Sequence, residues 1–553
     1  MSLKSNLTTL TWLLLVPLVS LVSSPLHAQP LIHDTEQKIL IDQHGKKWQV
    51  EDKEIDKRLA AMKKKHGKTP NIVHIMWDDT SLGEVGIPEL NKVLGFDTPN
   101  INDLADKGIA FTRMYTEPSC TPTRTAALTG RLSVRAGMYK VGFPPEGSGL
   151  HRDEVTIAEV LGEHGYVTGF VGKAHQGDIE QAYMHNQGFD YANFSLYNQF
   201  PFMTWNPQAA LGGRTNGLFP FQWDKQHTID QQFRPIGYLN QLEARKGGTA
   251  KEFLGPTNLK RYKQMMRANQ SQSLAFIQDH AQGDKPFYLA YWPHMADPAP
   301  GPDQLTSNAS TWWAYSMEQL DRDIGEVVKL IEALGIAENT LVIAMADNGP
   351  MHELAPNGPH EVIFAGGKGD HREGGIRVPA FAWWQGVIAP DQKVNDMIAV
   401  HDLFTTFARL GGAMDAVPRD RVIDGIDQSA LLFKGESFSR RDYYHVYTGN
   451  VLAASIKQQI KRDWTNDRPG LVSDDFYDLY RDQREEYGDM PPYLWAWPAF
   501  DQMKARHERQ MANYPNRPVT RGVPYGGVDN LREDARLIAE RMRKYDIVGE
   551  SDD

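Results

Sequence analysis

Along the chain, short apolar runs break off abruptly into polar residues, and four of these breaks carry ionisable side chains. Residues 72–77 (Ile-Val-His-Ile-Met-Trp) lead into Asp78 and Asp79, and residues 166–171 (Tyr-Val-Thr-Gly-Phe-Val) into Gly172-Lys173-Ala174-His175. Residues 287–292 (Phe-Tyr-Leu-Ala-Tyr-Trp) lead into Pro293 and His294, and residues 341–346 (Leu-Val-Ile-Ala-Met-Ala) into Asp347-Asn348-Gly349. Near-continuous apolar runs of this length are the pattern of parallel strands covered on both faces. Helical periodicity occupies intervals between them, at 157–164 and 316–334. The alternation predicts an α/β fold with right-handed crossovers, a large, mostly parallel sheet and helices on both faces. In such sheets ligands bind outside the carboxyl ends of the strands. The polar residues that end the four runs are therefore expected to meet at one edge.

After about residue 430 the pattern changes. Residues 443–448 and 452–464 read as antiparallel strands around Gly449-Asn450, and 476–480 as a further short strand. Residues 530–545 read as a charged amphipathic helix. Residues 29–68 are charged and read as a surface extension, and 69–430 is expected to be the main α/β domain. Residues 431–553 are expected to form a smaller C-terminal subdomain with the antiparallel sheet and the terminal helix. No internal repeat or low-complexity segment interrupts this order.

Composition narrows the class. With 41% hydrophobic and 10% aromatic residues the chain can build a large core. A formal charge of −11 argues against nonspecific binding to nucleic acid or to an anionic membrane. Residues 1–28 read as a secretory signal peptide, with Lys4 in the n-region, an apolar stretch over 10–22 and a cleavage site after Ala28. An uncleaved anchor is the alternative. Cleavage implies an exported protein, periplasmic or secreted, with no membrane association afterwards. Such a protein is free to use disulfides, yet Cys120 is the only cysteine among 553 residues.

Candidate chemistry gathers at the strand ends and around that cysteine. Asp78, Asp79, Asp347 and Asn348 offer only oxygen ligands, which suits a hard cation such as Ca²⁺ or Mg²⁺. Taken singly, Asp-Asp and Asp-Asn-Gly are also ordinary turn and cap sequences. Pro122 suits the first turn of a helix over 123–128, which would set Cys120 at the positive end of that helix. The run continues Cys120-Thr121-Pro122-Thr123-Arg124-Thr125-Ala126-Ala127-Leu128-Thr129-Gly130-Arg131.

This run matches the Cys-x-Pro-Ser/Thr-Arg-x-x-x-Leu-Thr-Gly-Arg signature, and the chain resembles the type I sulfatases over roughly residues 69–485. These are arylsulfatase-like, formylglycine-dependent enzymes of the alkaline phosphatase superfamily. The resemblance implies that a maturation enzyme oxidises Cys120 to Cα-formylglycine. It also implies that Asp78, Asp79, Asp347, Asn348 and the modified Cys120 hold a metal, with Ca²⁺ the usual ion and Mg²⁺ the runner-up. A second signature, read from Gly165 to His175, carries over Lys173 and His175, with Ala174 where the family usually has Trp. Lys368 stands in Gly366-Gly367-Lys368-Gly369, before the hallmark Glu373-Gly374-Gly375-Ile376-Arg377-Val378-Pro379. His294 matches a family histidine, although Ala296 replaces the usual Pro; His371 is its competitor for proton transfer.

The implied reaction cleaves an aryl or saccharide sulfate ester. A hydroxyl of the formylglycine hydrate attacks sulfur while Lys368, Arg124 and Lys173 neutralise the sulfuryl oxygens, and His294 protonates the leaving group. His175 then releases sulfate by drawing the proton from the second hydroxyl. Serine has no second hydroxyl, so Cys120→Ser is expected to stall as a sulfated enzyme or to be inactive. Aromatics over 176–286, including Tyr197, Phe200, Phe202, Trp205, Phe219, Phe221 and Trp223, either line a substrate cleft or pack a lid. Two other readings stay open: a phosphonate monoester or phosphodiester hydrolase using the same site, and a sulfated-ligand binder without turnover.

Overall fold

A computed structural model describes residues 30–142, 146–197, 241–254, 259–294, 312–351, 363–465, 476–488 and 493–525. The described residues from Leu31 onward belong to one compact unit. The first strand of the main sheet is β1 (Asn71–Trp77). After β1 come β2 (Ile109–Tyr115), β3 (Val167–Lys173), β4 (Tyr191–Ser195), β5 (Gln241–Arg245), β6 (Lys251–Leu254) and β7 (Phe287–Trp292). Then follow β8 (Thr340–Ala346), β9 (Arg377–Trp383), β10 (Gln392–Val394) and β11 (Ile398–Ala399). The sheet runs β10-β2-β9-β8-β1-β7-β3-β4-β5-β6, with β11 also paired to β2.

The four apolar runs are β1, β3, β7 and β8, and they lie side by side as β8-β1-β7-β3, all parallel. β1, β7 and β8 are buried at every position, as expected of strands covered on both faces. Helix Leu259–Ala281 packs on β3 and β7, and helix Pro99–Asp106 on β2 and β9. Helix Trp312–Ala333 and helix Ile157–Glu163 occupy the two periodic intervals. Helix Ile157–Glu163 begins with a capping box between Thr156 and Glu159. Antiparallel pairing enters only toward the flanks, at β2–β9, β8–β9, β4–β5 and β5–β6.

Register places the site. Trp77 pairs with Ala346 and Gly172 with Trp292, so the four strands run out together. Asp347 N–H donates to Trp77 O (2.9 Å) and Thr80 N–H to Asn348 O (2.9 Å), which carries the pairing one step past the strands. Gly172 has φ +115°, and a Cβ there would stand 1.9 Å from Trp292 O. Only glycine lets β3 approach β7 this closely just before Lys173.

The second sheet is antiparallel: β12 (Tyr443–Thr448), β13 (Val451–Lys457), β14 (Ile460–Asp463) and β15 (Phe476–Asp478). The expected strand over 452–464 is two strands. The chain turns at Gln458, whose φ of 54° is left-handed without the glycine that would have announced it. Residues 35–66, expected as a surface extension, form one long helix, Thr35–His66, with Leu40 and Ile55 buried. Helix Trp497–Asn513 follows the second sheet, and the helix read over 530–545 lies outside the described residues, as does the leader over 1–28.

Candidate active site

Helix Cys120–Thr129 starts three residues earlier than its sequence pattern suggests, with Cys120 as its first residue and every member buried. It ends at Gly130, whose φ of 68° supplies the left-handed cap. Arg124, one turn in, is fully buried and spends its guanidinium on the strand ends. Its Nε and Nη2 donate to Asp347 Oδ2 (3.0 and 2.9 Å), Nη2 also to Asp78 Oδ1 (2.7 Å), and Nη1 to Lys173 O (2.9 Å). The guanidinium also lies 5.3 Å from the Trp292 ring centroid. Arg124 thus binds β1, β3 and β8 to the helix that presents Cys120.

The other two cations take the remaining acid edges. Lys173 Nζ donates to both oxygens of Asp78 (2.7 and 2.9 Å). Lys368 Nζ donates to both oxygens of Asp79 (2.8 and 2.9 Å) and stands 3.0 Å from Cys120 Sγ. Asn348 Nδ2 donates to Asp79 Oδ1 (2.8 Å), and Asp79 N–H to Asp347 Oδ1 (3.1 Å). Asp79 (φ 42°) and His175 (φ 53°) hold left-handed backbone that non-glycine residues adopt at a cost.

The electrostatics follow from burying three acids with three cations. Burial opposes ionisation of Asp78, but Lys173, Arg124 and Lys368 overcome it and hold its carboxyl well below the usual range. Asp347, with fewer cations beside it, is pushed up to about 7 by burial and by Asp78. The Cys120 thiol is pushed up to about 12 by burial and by Asp347. The helix-end position therefore does not make it anionic; burial outweighs the field of the helix. Burial takes His294 down to about 3, and with Lys173 holds His175 well below its ordinary value.

The two histidines take hydrogen-bond partners other than the three acids. His175 Nε2 is hydrogen-bonded to Gly142 O (3.0 Å), and His294 Nε2 to Ser195 Oγ. The Nδ1 atoms of both are buried without a protein partner. His371 instead pairs through Nε2 with Asp463 Oδ2 of β14 (2.7 Å). Ser195 escaped the sequence reading because β4 is too short to stand out, and the Gly142 carbonyl because backbone groups leave no residue-type signal. Of the aromatic segment, Tyr197 is buried, and the other six named rings lie outside the described residues.

The residues fit a hard divalent cation. Ligand atoms of Asp78, Cys120 and Asp347 lie within 4.8 Å of one another. Asn348 Oδ1 is buried with no hydrogen-bond partner, the sort of orphaned acceptor a cation satisfies. The donors are carboxylate and amide oxygens, the set that selects Ca²⁺ or Mg²⁺ over softer metals.

Fold and edge together define an α/β enzyme whose site is a compact set of acids and cations around one helix end. The Sulfatase family profile matches residues 70–413. N-acetylgalactosamine-6-sulfatase of Mus musculus is 31% identical over 420 residues, covering 72% of this chain and 73% of the relative. Arylsulfatase A of Homo sapiens is 32% identical over 497 residues, covering 82% and 91%. The crystal structure of the PsFucS1 sulfatase from Pseudoalteromonas sp. superposes with a TM-score of 0.74 at 25% identity, over 89% of this chain and 98% of that one. The chain belongs to the sulfatase family and is a sulfuric ester hydrolase.

Proposed function

We propose that the protein hydrolyses a sulfate ester of a saccharide or a phenol at Cys120, matured to Cα-formylglycine. The contact that carries this reading is Lys368 Nζ, 3.0 Å from Cys120 Sγ and hydrogen-bonded to Asp79. A thiol held at about 12 is a poor nucleophile at neutral pH, whereas the cations and acids around it suit an oxygen nucleophile.

Asp78, Asp79, Asp347 and Asn348 would hold Ca²⁺, with Mg²⁺ the alternative; the ion when bound supplies charge neutralisation and acidifies a neighbouring hydroxyl. The hydrated aldehyde at position 120 carries two hydroxyls on one carbon. One hydroxyl gives its proton to a carboxylate of the site and its oxygen bonds to sulfur as the bond from sulfur to the ester oxygen breaks, and His294 delivers a proton to the departing alcohol. Lys368 and Lys173 neutralise the sulfuryl oxygens as charge develops. Arg124 acts through the acids it holds, because its hydrogen bonds go to Asp78, Asp347 and the Lys173 carbonyl. His175 then takes the proton of the second hydroxyl, the carbon–oxygen bond to sulfate breaks, and the aldehyde returns for rehydration. A neutral His175 suits a base. His294 needs the negative charge of the substrate beside it to hold a proton.

Within the one compact unit we take residues 69–430 as the catalytic part and 431–553 as a C-terminal subdomain. Export after cleavage at Ala28 is part of the same reading, tested by sequencing the mature N-terminus. No helix among the described residues is long and apolar enough to cross a membrane.

Mass spectrometry of the peptide containing residue 120 tests the proposal: an aldehyde supports it, and an intact thiol in fully active protein sinks it. Rates on sulfate, phosphate and phosphonate esters of one phenol decide the reaction, with a dominant phosphonate rate favouring the other esterase class. Chelation is expected to lower the thermal midpoint, and Ca²⁺ to restore it even in Cys120→Ala protein. An unchanged midpoint would count against a cation held by the four oxygen ligands.

A further inference from the structure

A cavity of about 110 Å³ lies beside the catalytic edge, between the loop that follows helix Cys120–Thr129 and a returning C-terminal segment. Its lining includes Thr121, Tyr139, Lys140, Glu146, Ser148 and Arg521. Two bonds tie it to the site. Gly142 N–H donates to Thr121 Oγ1 (3.1 Å), one residue from Cys120, and Gly142 O is the partner of His175 Nε2 (3.0 Å). Gly142 also lines the cavity, so it is a wall shared by the cavity and the histidine.

The far wall is assembled from a distant part of the chain. Past helix Trp497–Asn513 the backbone returns and pairs antiparallel at Ser148 and Arg521. Gly149 N–H donates to Thr520 O (3.2 Å) and Gly522 N–H to Gly147 O (2.9 Å), bracketing Arg521 in place. Arg521 Nη1 donates to Glu146 O (3.4 Å), and Lys140 lies 5.8 Å from the Tyr139 ring centroid. Neither cation has a carboxylate partner within ion-pair distance among the described residues. Lys140 and Arg521 outnumber Glu146, so the lining is net positive in a chain whose formal charge is −11.

The volume is well below the roughly 300 Å³ of a whole small-molecule site. It suits one substituent of a larger substrate whose ester sits at residue 120. We infer that this cavity is a subsite for a second anionic group, a sulfate or a carboxylate borne by a sulfated saccharide. The inference rests on the sulfatase reading above and adds a substrate class to it: saccharides with a second negative charge near the scissile ester. Tyr139 and Ser148 supply hydroxyls beside the two cations, the mixed donor set that oxyanions take.

The test uses full-length, matured, metal-loaded enzyme with Lys140→Met, Arg521→Met and Glu146→Gln variants. Substrates are 4-nitrophenyl sulfate, a monosulfated neutral disaccharide, and disaccharides carrying either a second sulfate or a uronate. Each lost cation should raise KM for the doubly charged saccharides about tenfold, the scale of one charged hydrogen bond. That effect should shrink in high salt, because both cations are exposed. Activity on 4-nitrophenyl sulfate should stay within about twofold, since a distant substituent contact is absent there. Glu146→Gln should lower KM for the doubly charged substrates by removing a like charge. The larger response of the disulfated or the uronate substrate identifies the anion. Equal KM changes on neutral and charged saccharides, no change on either, or no wild-type preference for the doubly charged ones would overturn the subsite. Loss of wild-type turnover on 4-nitrophenyl sulfate would instead strike at the sulfatase reading itself.

Discussion

Arg124 shows how much rests on single side chains here. It is buried to the last atom, and it neutralises two carboxylates that have left water with it. Removing it takes the ion-pair partner from Asp347 and leaves Asp78 to Lys173 alone. Arg124→Met is expected to cost about 3–5 kcal/mol of unfolding free energy, the scale of breaking a buried ion pair. Urea denaturation measures this. Arg124→Lys should recover only part, because an ammonium cannot span Asp78, Asp347 and the Lys173 carbonyl at once. A loss below about 1 kcal/mol for Arg124→Met would mean that Lys173 and solvent already satisfy the acids. Most of the residues now gathered at this edge were legible in the sequence because each stands at the end of an apolar run or in a long signature. Ser195 and the His371–Asp463 pair were not: each depends on two distant segments meeting, and no local pattern encodes that meeting.

Helix Thr35–His66 makes the same point for elements. Of its 32 residues only Leu40 and Ile55 are buried apolar side chains, so its hydrophobic stripe is too thin to see in the sequence. Its attachment is largely electrostatic, through Asp52 to Arg440 (2.7 Å), Asp56 to Arg409 (2.5 Å) and Glu54 to Lys434 (2.5 Å). The parallel core strands were legible because burial on both faces leaves a run of apolar residues, whereas short flanking strands such as β10 and β11 leave almost none. At its start the helix meets β12 and helix Trp497–Asn513 in a buried polar junction. His507 Nδ1 pairs with Asp34 Oδ2 (2.9 Å) and Nε2 with Tyr447 OH (2.8 Å), while His445 stacks on His507 at 4.0 Å. Burial, then His507, Arg135 and Arg441, hold His445 well below its ordinary value, with Asp34 opposing. A depressed histidine stays neutral in the folded chain while the unfolded chain gains the proton, so stability is lost as pH falls below about 6.5. His74 and His401 act in the same direction. His445→Gln should therefore flatten the fall in urea midpoint between pH 7 and 5 without abolishing it. An identical slope would place the proton uptake elsewhere.

For the molecule as a whole, the question is how the two sheets stay one body. Lys461 of β14 is buried between Glu485 (2.7 Å) and Glu373 (3.4 Å), and it also donates to His371 O (2.8 Å). Glu373 in turn accepts from Tyr115 of β2 (2.9 Å). The main sheet, the loop carrying Lys368 and His371, and the second sheet are thus pinned by one lysine. Lys461→Met should lower the thermal midpoint and split the calorimetric transition, with activity fading at the first step. A single, unshifted transition would show that apolar packing alone joins the sheets. The burial of Cys120 bears on the life history of the chain. Its exposure is 0%, and the helix it begins is buried along its whole length. If Cys120 is matured as proposed, a modifying enzyme would have to bind the backbone around a side chain with no exposed surface, so conversion would have to precede folding. On that reading a molecule that closed helix Cys120–Thr129 over an unconverted thiol would stay unconverted. The convertible fraction of a preparation would then be set during synthesis, by how long this segment stays open.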